Sequence, residues 1–392
     1  MIQSFNPTSR TLMGPGPSDV NPRILTAMGK VTIGHLDPEF VRLMDEIKTL
    51  LQGAFQTNNA LTIPVSAPGS AGMETCFVNL VEPGDKVVIC QNGVFGGRMQ
   101  ENVTRAGGEA VIVQQDWGRA VDLQALEDTL KQHSDAKIVA FVHAETSTGA
   151  RSDAKSICKL AQQYDCLSIM DCVTSLAGSE VDLDGWGVDA AYSGTQKCLS
   201  CAPGLSPISL SDKAVEAVKA RKHPVQSWFL DLNLVMGYWG EGQTRAYHHT
   251  APVNALYGLH EALVILHEEG LKESWQRHET NHYALRAGLE AMGMSFIVPE
   301  NERLMQLNAV TIPEGVDEAA VRKQLLQQFN LEIGAGLGSL AGKVWRIGLM
   351  GYASNPKNVL LCVNALEAVL SQYNAPIHKG VATSAVQSAY NR

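Results

Sequence analysis

The sequence predicts an α/β fold, a large domain on a mostly parallel sheet followed by a smaller α/β domain. Three observations carry this. Between about residues 60 and 260, short β-rich apolar runs alternate with amphipathic helical stretches, which is the pattern of a parallel sheet covered by helices. Beyond about residue 255 the chain changes to one long helical stretch, "NALYGLHEALVILHEEGLKESWQRHETNHYALRAGLEAMG", then to short strands and helices ending near residue 373. With 392 residues the chain can also bury more than one core.

Each element has its own justification. Strands are expected at "KVVIC" (86–90), "EAVIVQ" (109–114), "KIVAFVHA" (137–144), "LSIMDCV" (167–173), "AAYSG" (190–194) and "SPISLS" (206–211), short runs of which the first three are rich in β-branched residues. Between them "DLQALEDTLKQH" (122–133) and "SDAKSICKLAQQY" (152–164) repeat apolar residues at helical spacing, and Asp122 offers an oxygen to the orphan N–H groups of a helix start. Crossovers joining such strands are right-handed. The organisation expected is an irregular Gly/Pro-rich arm over 1–20, a large domain over 21–258, a small domain over 259–375 and an extended tail over 376–392.

Composition narrows the function. A net charge of −9 excludes a broad nucleic-acid or anionic-membrane surface. Charged residues make up 18% of the chain, below the roughly 25% of ordinary domains, so part of the surface is expected to be covered by another subunit. No apolar run approaches the roughly 18 residues of a membrane span. The opening "MIQSFNPTSRTLMGPGPSD" shows neither a basic nor an apolar leader segment, so a cytoplasmic protein is expected. Eight scattered cysteines fit reduced core thiols in that compartment.

Two polar residues stand where a bland core would have none. Asp171 ends the apolar run "SIMD", as either a helix cap or a site residue, since ligands of open α/β sheets sit outside the carboxyl ends of strands. Lys197 comes one crossover later in "AYSGTQKCLSCAPGLSPISLS", directly before a Cys198-x-x-Cys201 pair. A lysine there can form an imine with a carbonyl, and paired thiols can bind metal or cycle through a disulfide. A third element, "VSAPGSAGMETCFVNLV", opens a helix with small residues, so free N–H groups and the positive dipole end face an anion. Together the three match what pyridoxal phosphate requires: an anion site, an amine and a carboxylate for the pyridine nitrogen.

The segments "LMGPGPSDVNPRIL", "SAPGSAGMET", "NGVFGGR", "HAETSTG", "MDCVTSLAG", "YSGTQKCLSCAPG", "YHHTAPVNALYGL" and "GKVWRIGLMG" resemble, in order and spacing, the class V aminotransferases, nearest to the alanine–glyoxylate and serine–pyruvate types. The resemblance covers about residues 11 to 372. It implies the fold type I architecture with its seven-stranded sheet, pyridoxal 5'-phosphate as cofactor, and transamination between alanine or serine and glyoxylate or pyruvate. Lys197 is then the lysine that binds the cofactor and shuttles a proton, and Asp171 the partner of the pyridine nitrogen. Phe95 matches an aromatic stacked on the ring, where many relatives have Trp, and Val173 packs on the opposite face. Gly69, Ser70 and Gln196 match phosphate-side residues, although Pro68 replaces a serine of the relatives. Thr146 matches a residue near the ring hydroxyl. Tyr247 and Thr250 match residues that reach the phosphate of a neighbouring subunit, which implies a homodimer with shared active sites. Arg346 corresponds to the clamp on the substrate α-carboxylate, and Gly34 and His35 line the pocket from the partner's arm.

Other readings stay in view. Aspartate–glyoxylate and pyridoxamine–pyruvate aminotransferases share these residues, as do lyases of the cysteine desulfurase and kynureninase kind, and a non-catalytic binding protein could keep the fold. Cys362, in "NVLLCVNALEAVL", suits a core helix better than a mobile nucleophile. No metal site is expected: His248 and His249 are adjacent, so their side chains should diverge, and no second Cys-x-x-Cys exists. Cys198 and Cys201 are bystanders on this reading, with oxidation sensitivity beside Lys197 as their one expected effect.

Overall fold

The protein is described from a computed structural model, which covers residues 2–240 and 245–391. Its centre is a seven-stranded sheet in the order Leu61–Val65, Ser206–Leu210, Ala190–Tyr192, Leu167–Asp171, Ile138–Val142, Lys86–Gln91, Glu109–Gln114. The last five strands pair in parallel. Ser206–Leu210 runs antiparallel to both its neighbours, so Leu61–Val65 points the same way as the five. Helices cover both faces, which is why Ile138–Val142 is apolar and buried at every position.

Two of the strands end early because the ladder stops where the chain turns to make the site: 137–144 shortens to Ile138–Val142 and 190–194 to Ala190–Tyr192, whereas 86–90 extends by one residue to Lys86–Gln91. The edge strand Leu61–Val65 is an addition to the expected set. Helix Leu123–Gln132 starts as expected, with the Asp122 carboxylate accepting from Gln124 and Ala125 N–H. In the next helix Asp153 takes that role, so it runs Ala154–Gln163 rather than from Ser152.

A second core gathers around Trp345 on a three-stranded antiparallel sheet, Leu307–Thr311, Val344–Gly348 and Gly334–Ala335. Helices Leu271–Ala291, Glu318–Phe329 and Pro356–Gln372 contribute Leu285, Val321 and Val363 to it. Helix Val253–Glu269 sends Leu256, Leu259 and Leu263 into the first core instead, so the packing changes hands near Gly270, later than residue 258. The C-terminal stretch is not extended as expected: Ala382–Tyr390 is a helix, with Ala382 and Val386 buried in the second core and Tyr390 O–H donating to Asn281 Oδ1 at 2.6 Å.

The N-terminal arm is irregular yet anchored. Thr11–Leu12 pairs in parallel with Leu331–Glu332, Met13 is fully buried in the second core, and Gly348 N–H donates to Met13 O at 2.7 Å. Farther on, Ser18 N–H donates to Gln196 O at 2.8 Å and its hydroxyl to Met350 O. No helix among the described residues is long and apolar enough to cross a membrane.

Candidate active site

Six strands of the large sheet share one direction, and the expected site residues leave the carboxyl ends of five of them. Gly69 follows Leu61–Val65, Phe95 follows Lys86–Gln91, Thr146 follows Ile138–Val142, Asp171 ends its own strand, and Lys197 follows Ala190–Tyr192. A crevice outside the carboxyl ends is the general ligand position of such sheets.

Lys197 and Asp171 are both buried there. Burial pushes the Lys197 amine down to about 8, with the Arg346 charge adding to the effect and Cys198, Asp171 and Glu145 opposing it. The amine donates to the Pro15 carbonyl of the arm. Burial also pushes the Asp171 carboxyl up to about 7, Glu145 adding to this while Val173 N–H and the Lys197 charge oppose it. Asp171 Oδ1 accepts from Val173 N–H at 2.9 Å, so one carboxylate oxygen is fixed by the turn that follows.

The phosphate-side residues converge on the same end. Helix Gly69–Leu80 begins after Pro68 with no side-chain cap, leaving its first N–H groups for another acceptor. A Cβ on Gly69 would stand 3.5 Å from Ser193 O and 3.7 Å from Val173 Cγ2, which puts the helix start against the Lys197 turn and the Asp171 turn. Gln196 Oε1 is buried without a hydrogen-bond partner, Ser70 is exposed, and Phe95 and Val173 are half-buried around the opening. An uncapped helix start, an unpartnered amide, a buried carboxylate and a lysine amine in one crevice fit pyridoxal phosphate. Arg98 lies over one face of the Phe95 ring, 4.8 Å from its centroid.

Arg346 reaches this crevice from the small-domain strand Val344–Gly348. Its Nε donates to Ala335 O at 2.7 Å and its Nη1 to Thr146 O at 3.0 Å. Burial lowers its pKa to about 10, against the opposing charge of Glu145. In this chain Thr146 thus contributes its carbonyl, while its hydroxyl accepts from Thr174 Oγ1 at 3.3 Å. Two contributors escape a reading of the sequence. Gly16 carries a φ of +105°, and a Cβ there would stand 2.6 Å from Lys197 Nζ, so the arm passes close over the lysine; the "GPGP" run was its signal. Glu145, fully buried, lies inside the quoted "HAETSTG".

A second group of expected residues forms elsewhere on the chain. His35 Nδ1 lies 3.1 Å from Tyr238 Oη and its ring 5.4 Å from that of Tyr247. Gly34 has open space around it, and Tyr247 and Thr250 are exposed. The two adjacent histidines do not diverge: His248 Nδ1 and His249 Nδ1 meet at 2.7 Å, because His249 Nε2 is held 2.7 Å from Ser66 Oγ and His248 stacks on Trp228. Among the described residues no cluster of three or more His, Cys, Asp or Glu is placed to hold a metal ion. The setting of the thiol next to Lys197 disfavours its ionised form. Cys198 is buried, its Sγ donates to Thr174 O at 3.2 Å, and burial pushes it up to about 12, so the thiolate needed for oxidation is suppressed.

The class-V aminotransferase family matches residues 18–358 of the chain. Alanine–glyoxylate aminotransferase of Rattus norvegicus is 40% identical over 363 residues, covering 92% of this chain and 87% of that one. The crystal structure of the ureidoglycine–glyoxylate aminotransferase of Bacillus subtilis superposes with a TM-score of 0.96 at 37% identity, over 100% of both chains. That of an alanine–glyoxylate aminotransferase from Nostoc sp. gives 0.92 at 46% identity, over 94% of this chain and 97% of that one. Sequence, fold and site agree: the chain belongs to the class-V aminotransferases and is a pyridoxal-phosphate-dependent aminotransferase.

Proposed function

We propose that the enzyme moves an amino group from a small amino acid, alanine or serine, to a small 2-oxo acid, glyoxylate or pyruvate. The observation that carries this is the setting of Arg346. Two carbonyls fix the plane of its guanidinium and leave its remaining N–H groups for one carboxylate, with the bidentate geometry that arginine provides. Among the described residues the buried basic side chains are Lys197, Arg245 and Arg346, and Arg245 is ion-paired with Asp45. That leaves one clamp, which favours monocarboxylate substrates over aspartate. The relatives named for alanine and glyoxylate support the same choice. (S)-Ureidoglycine is a second donor to weigh, because the Bacillus enzyme matches this fold over its whole length.

Pyridoxal phosphate, when bound, supplies a carbonyl for the amino group and an electron-withdrawing ring beside the substrate α-carbon. The helix start at Gly69, with Ser70 and Gln196, would hold its phosphate, Phe95 and Val173 the two ring faces, and Thr146 the ring hydroxyl. Asp171 would take the pyridine N–H, and that positive partner draws the carboxyl back towards its ordinary range. Arg346 orients the α-carboxylate so that the α C–H faces Lys197. Lys197 Nζ, partly neutral near pH 7 because burial has lowered its pKa, takes up that proton as general base.

The same reading includes a homodimer in which Tyr247 and Thr250 reach the neighbour's phosphate and Gly34 and His35 line its pocket. Tyr247 is 66% exposed, and Trp228 at 64% and Val31 at 84% are other large apolar side chains left open, which suits a subunit contact. Eight buried free cysteines suit the reducing cytoplasm.

The deciding experiment offers alanine, serine, aspartate and (S)-ureidoglycine as donors, with glyoxylate and pyruvate as acceptors, to protein loaded with pyridoxal phosphate. Loss of the visible band with alanine or serine and its return with glyoxylate or pyruvate is expected. Persulfide or anthranilate formation would point to a lyase. A Lys197→Ala protein should lose borohydride-reducible attachment of the cofactor, and a wild-type protein that binds none would sink the proposal.

A further inference from the structure

Glu145 is a fully buried carboxylate that the proposed chemistry does not use. It ends the two-residue strand Ala144–Glu145, which pairs with Ala150–Arg151. All its side-chain partners are donors. Oε1 accepts from Ser147 N–H at 3.0 Å and from Ser147 O–H at 2.6 Å, and Oε2 accepts from Phe95 N–H at 3.3 Å. Ser147 Oγ in turn accepts from Val94 N–H at 3.0 Å. Helix Val94–Arg105 follows Gly93 and has no cap from its own side chains. Glu145 and Ser147 supply one from across the sheet, at the end of the helix where the dipole favours negative charge. Only a carboxylate satisfies this set, since an amide would turn its NH2 against the N–H of either Phe95 or Ser147. Gly93 makes the room: a Cβ there would stand 2.4 Å from both Glu145 Cδ and Ser147 Oγ.

The residue after Glu145 is Thr146, whose carbonyl holds Arg346 Nη1. One three-residue segment therefore touches the helix turn carrying Phe95 and the guanidinium. We propose that Glu145 is a positioning residue that ties Phe95 to the backbone seat of Arg346 and so sets the spacing between cofactor ring and substrate carboxylate. This rests on the stacking and clamp roles proposed above.

Two variants test it from opposite sides. Glu145→Gln removes the charge in place. Gly93→Ala keeps the charge and displaces the carboxylate, without backbone strain because Gly93 is extended at a φ of 177°. Each should weaken pyridoxal phosphate binding about tenfold, raise KM for the amino donor about tenfold and leave kcat within about threefold, each tenfold step corresponding to about 1.4 kcal/mol. Circular dichroism of the bound cofactor should change in both, and in the apoprotein the Phe95 and Ser147 amides should exchange hydrogen faster. Unaltered affinity, dichroism and exchange in Gly93→Ala would overturn the proposal even if Glu145→Gln failed to fold. Loss of kcat alone, at unchanged affinity and KM, would overturn it as well, by showing direct chemistry. Phe95→Ala separates the two layers: unchanged dichroism there removes the stacking role and this proposal with it, whereas a Phe95 effect without a Glu145 effect removes this proposal alone.

Discussion

The most exacting prediction concerns the pH at which Lys197 becomes a nucleophile. Its amine is buried, lies beside Arg346, and has a pKa lowered from 10.5 to about 8. At pH 7 an ordinary lysine is neutral in about one molecule in 3,000 and Lys197 in about one in ten, so the reactive fraction rises about 300-fold. The rate at which apoprotein takes up pyridoxal phosphate covalently, trapped with borohydride at successive times, should climb tenfold per pH unit below about pH 8 and level off above it. Arg346→Gln removes a positive neighbour and should move the inflection up, whereas Asp171→Asn removes a negative one and should move it down. A rate that keeps climbing through about pH 10 would refute the burial argument, because it would give the lysine its ordinary pKa. An inflection indifferent to both variants would refute the charge assignments.

Other outcomes follow from single residues. Arg346→Lys keeps the charge but cannot serve two carbonyls and a carboxylate together, so kcat/KM for the amino donor should fall about 100-fold while cofactor affinity stays within about threefold; equal losses would contradict the clamp. Gly16→Ala places a methyl group against Lys197 Nζ at a φ of +105°, and trapping of the cofactor should collapse while thermal stability drops by only about 1–3 kcal/mol. The Asp171 carboxyl, raised from 3.8 to about 7 in the folded apoprotein, stabilises the fold most below about pH 4 and loses that contribution as pH climbs towards 7. Wild-type apoprotein should therefore lose up to about 4 kcal/mol relative to Asp171→Asn across that window in urea melts, and a constant difference would count against the desolvation. Val386→Ala, in the C-terminal helix, should lower stability by about 2 kcal/mol with turnover intact at room temperature.

The central strands were legible because each is a short apolar run buried on both faces, and Lys197 and Asp171 because each interrupts such a run at its end. Leu61–Val65 was hidden by Pro64, which an edge strand tolerates and a sequence pattern penalises. The C-terminal helix was hidden by small, uncharged residues, although Ala382, Val386 and Tyr390 recur at the four-residue spacing of one helix face. Arg346 needed the family resemblance, since nothing local in "VWRIG" says which distant carbonyls will receive its N–H groups. Glu145 was missed for a related reason. Two of its three partners are backbone amides and the third is the Ser147 hydroxyl only two residues on, so no distant side chain marks it out. The meeting of His248 and His249 depends on Ser66 and Trp228, which lie far from them in the chain.

The stretch from Thr11 to Ser18 adds a consequence in time. Its strand partner is Leu331–Glu332, Met13 belongs to the core around Trp345, and its Pro15 carbonyl caps the Lys197 amine. On the ribosome this stretch is made long before the residues that seat it. Until residues 331–348 have emerged, Lys197 is synthesised but uncovered, and the strand that carries Arg346 is missing. Closure of the arm over Lys197 therefore follows formation of the core around Trp345.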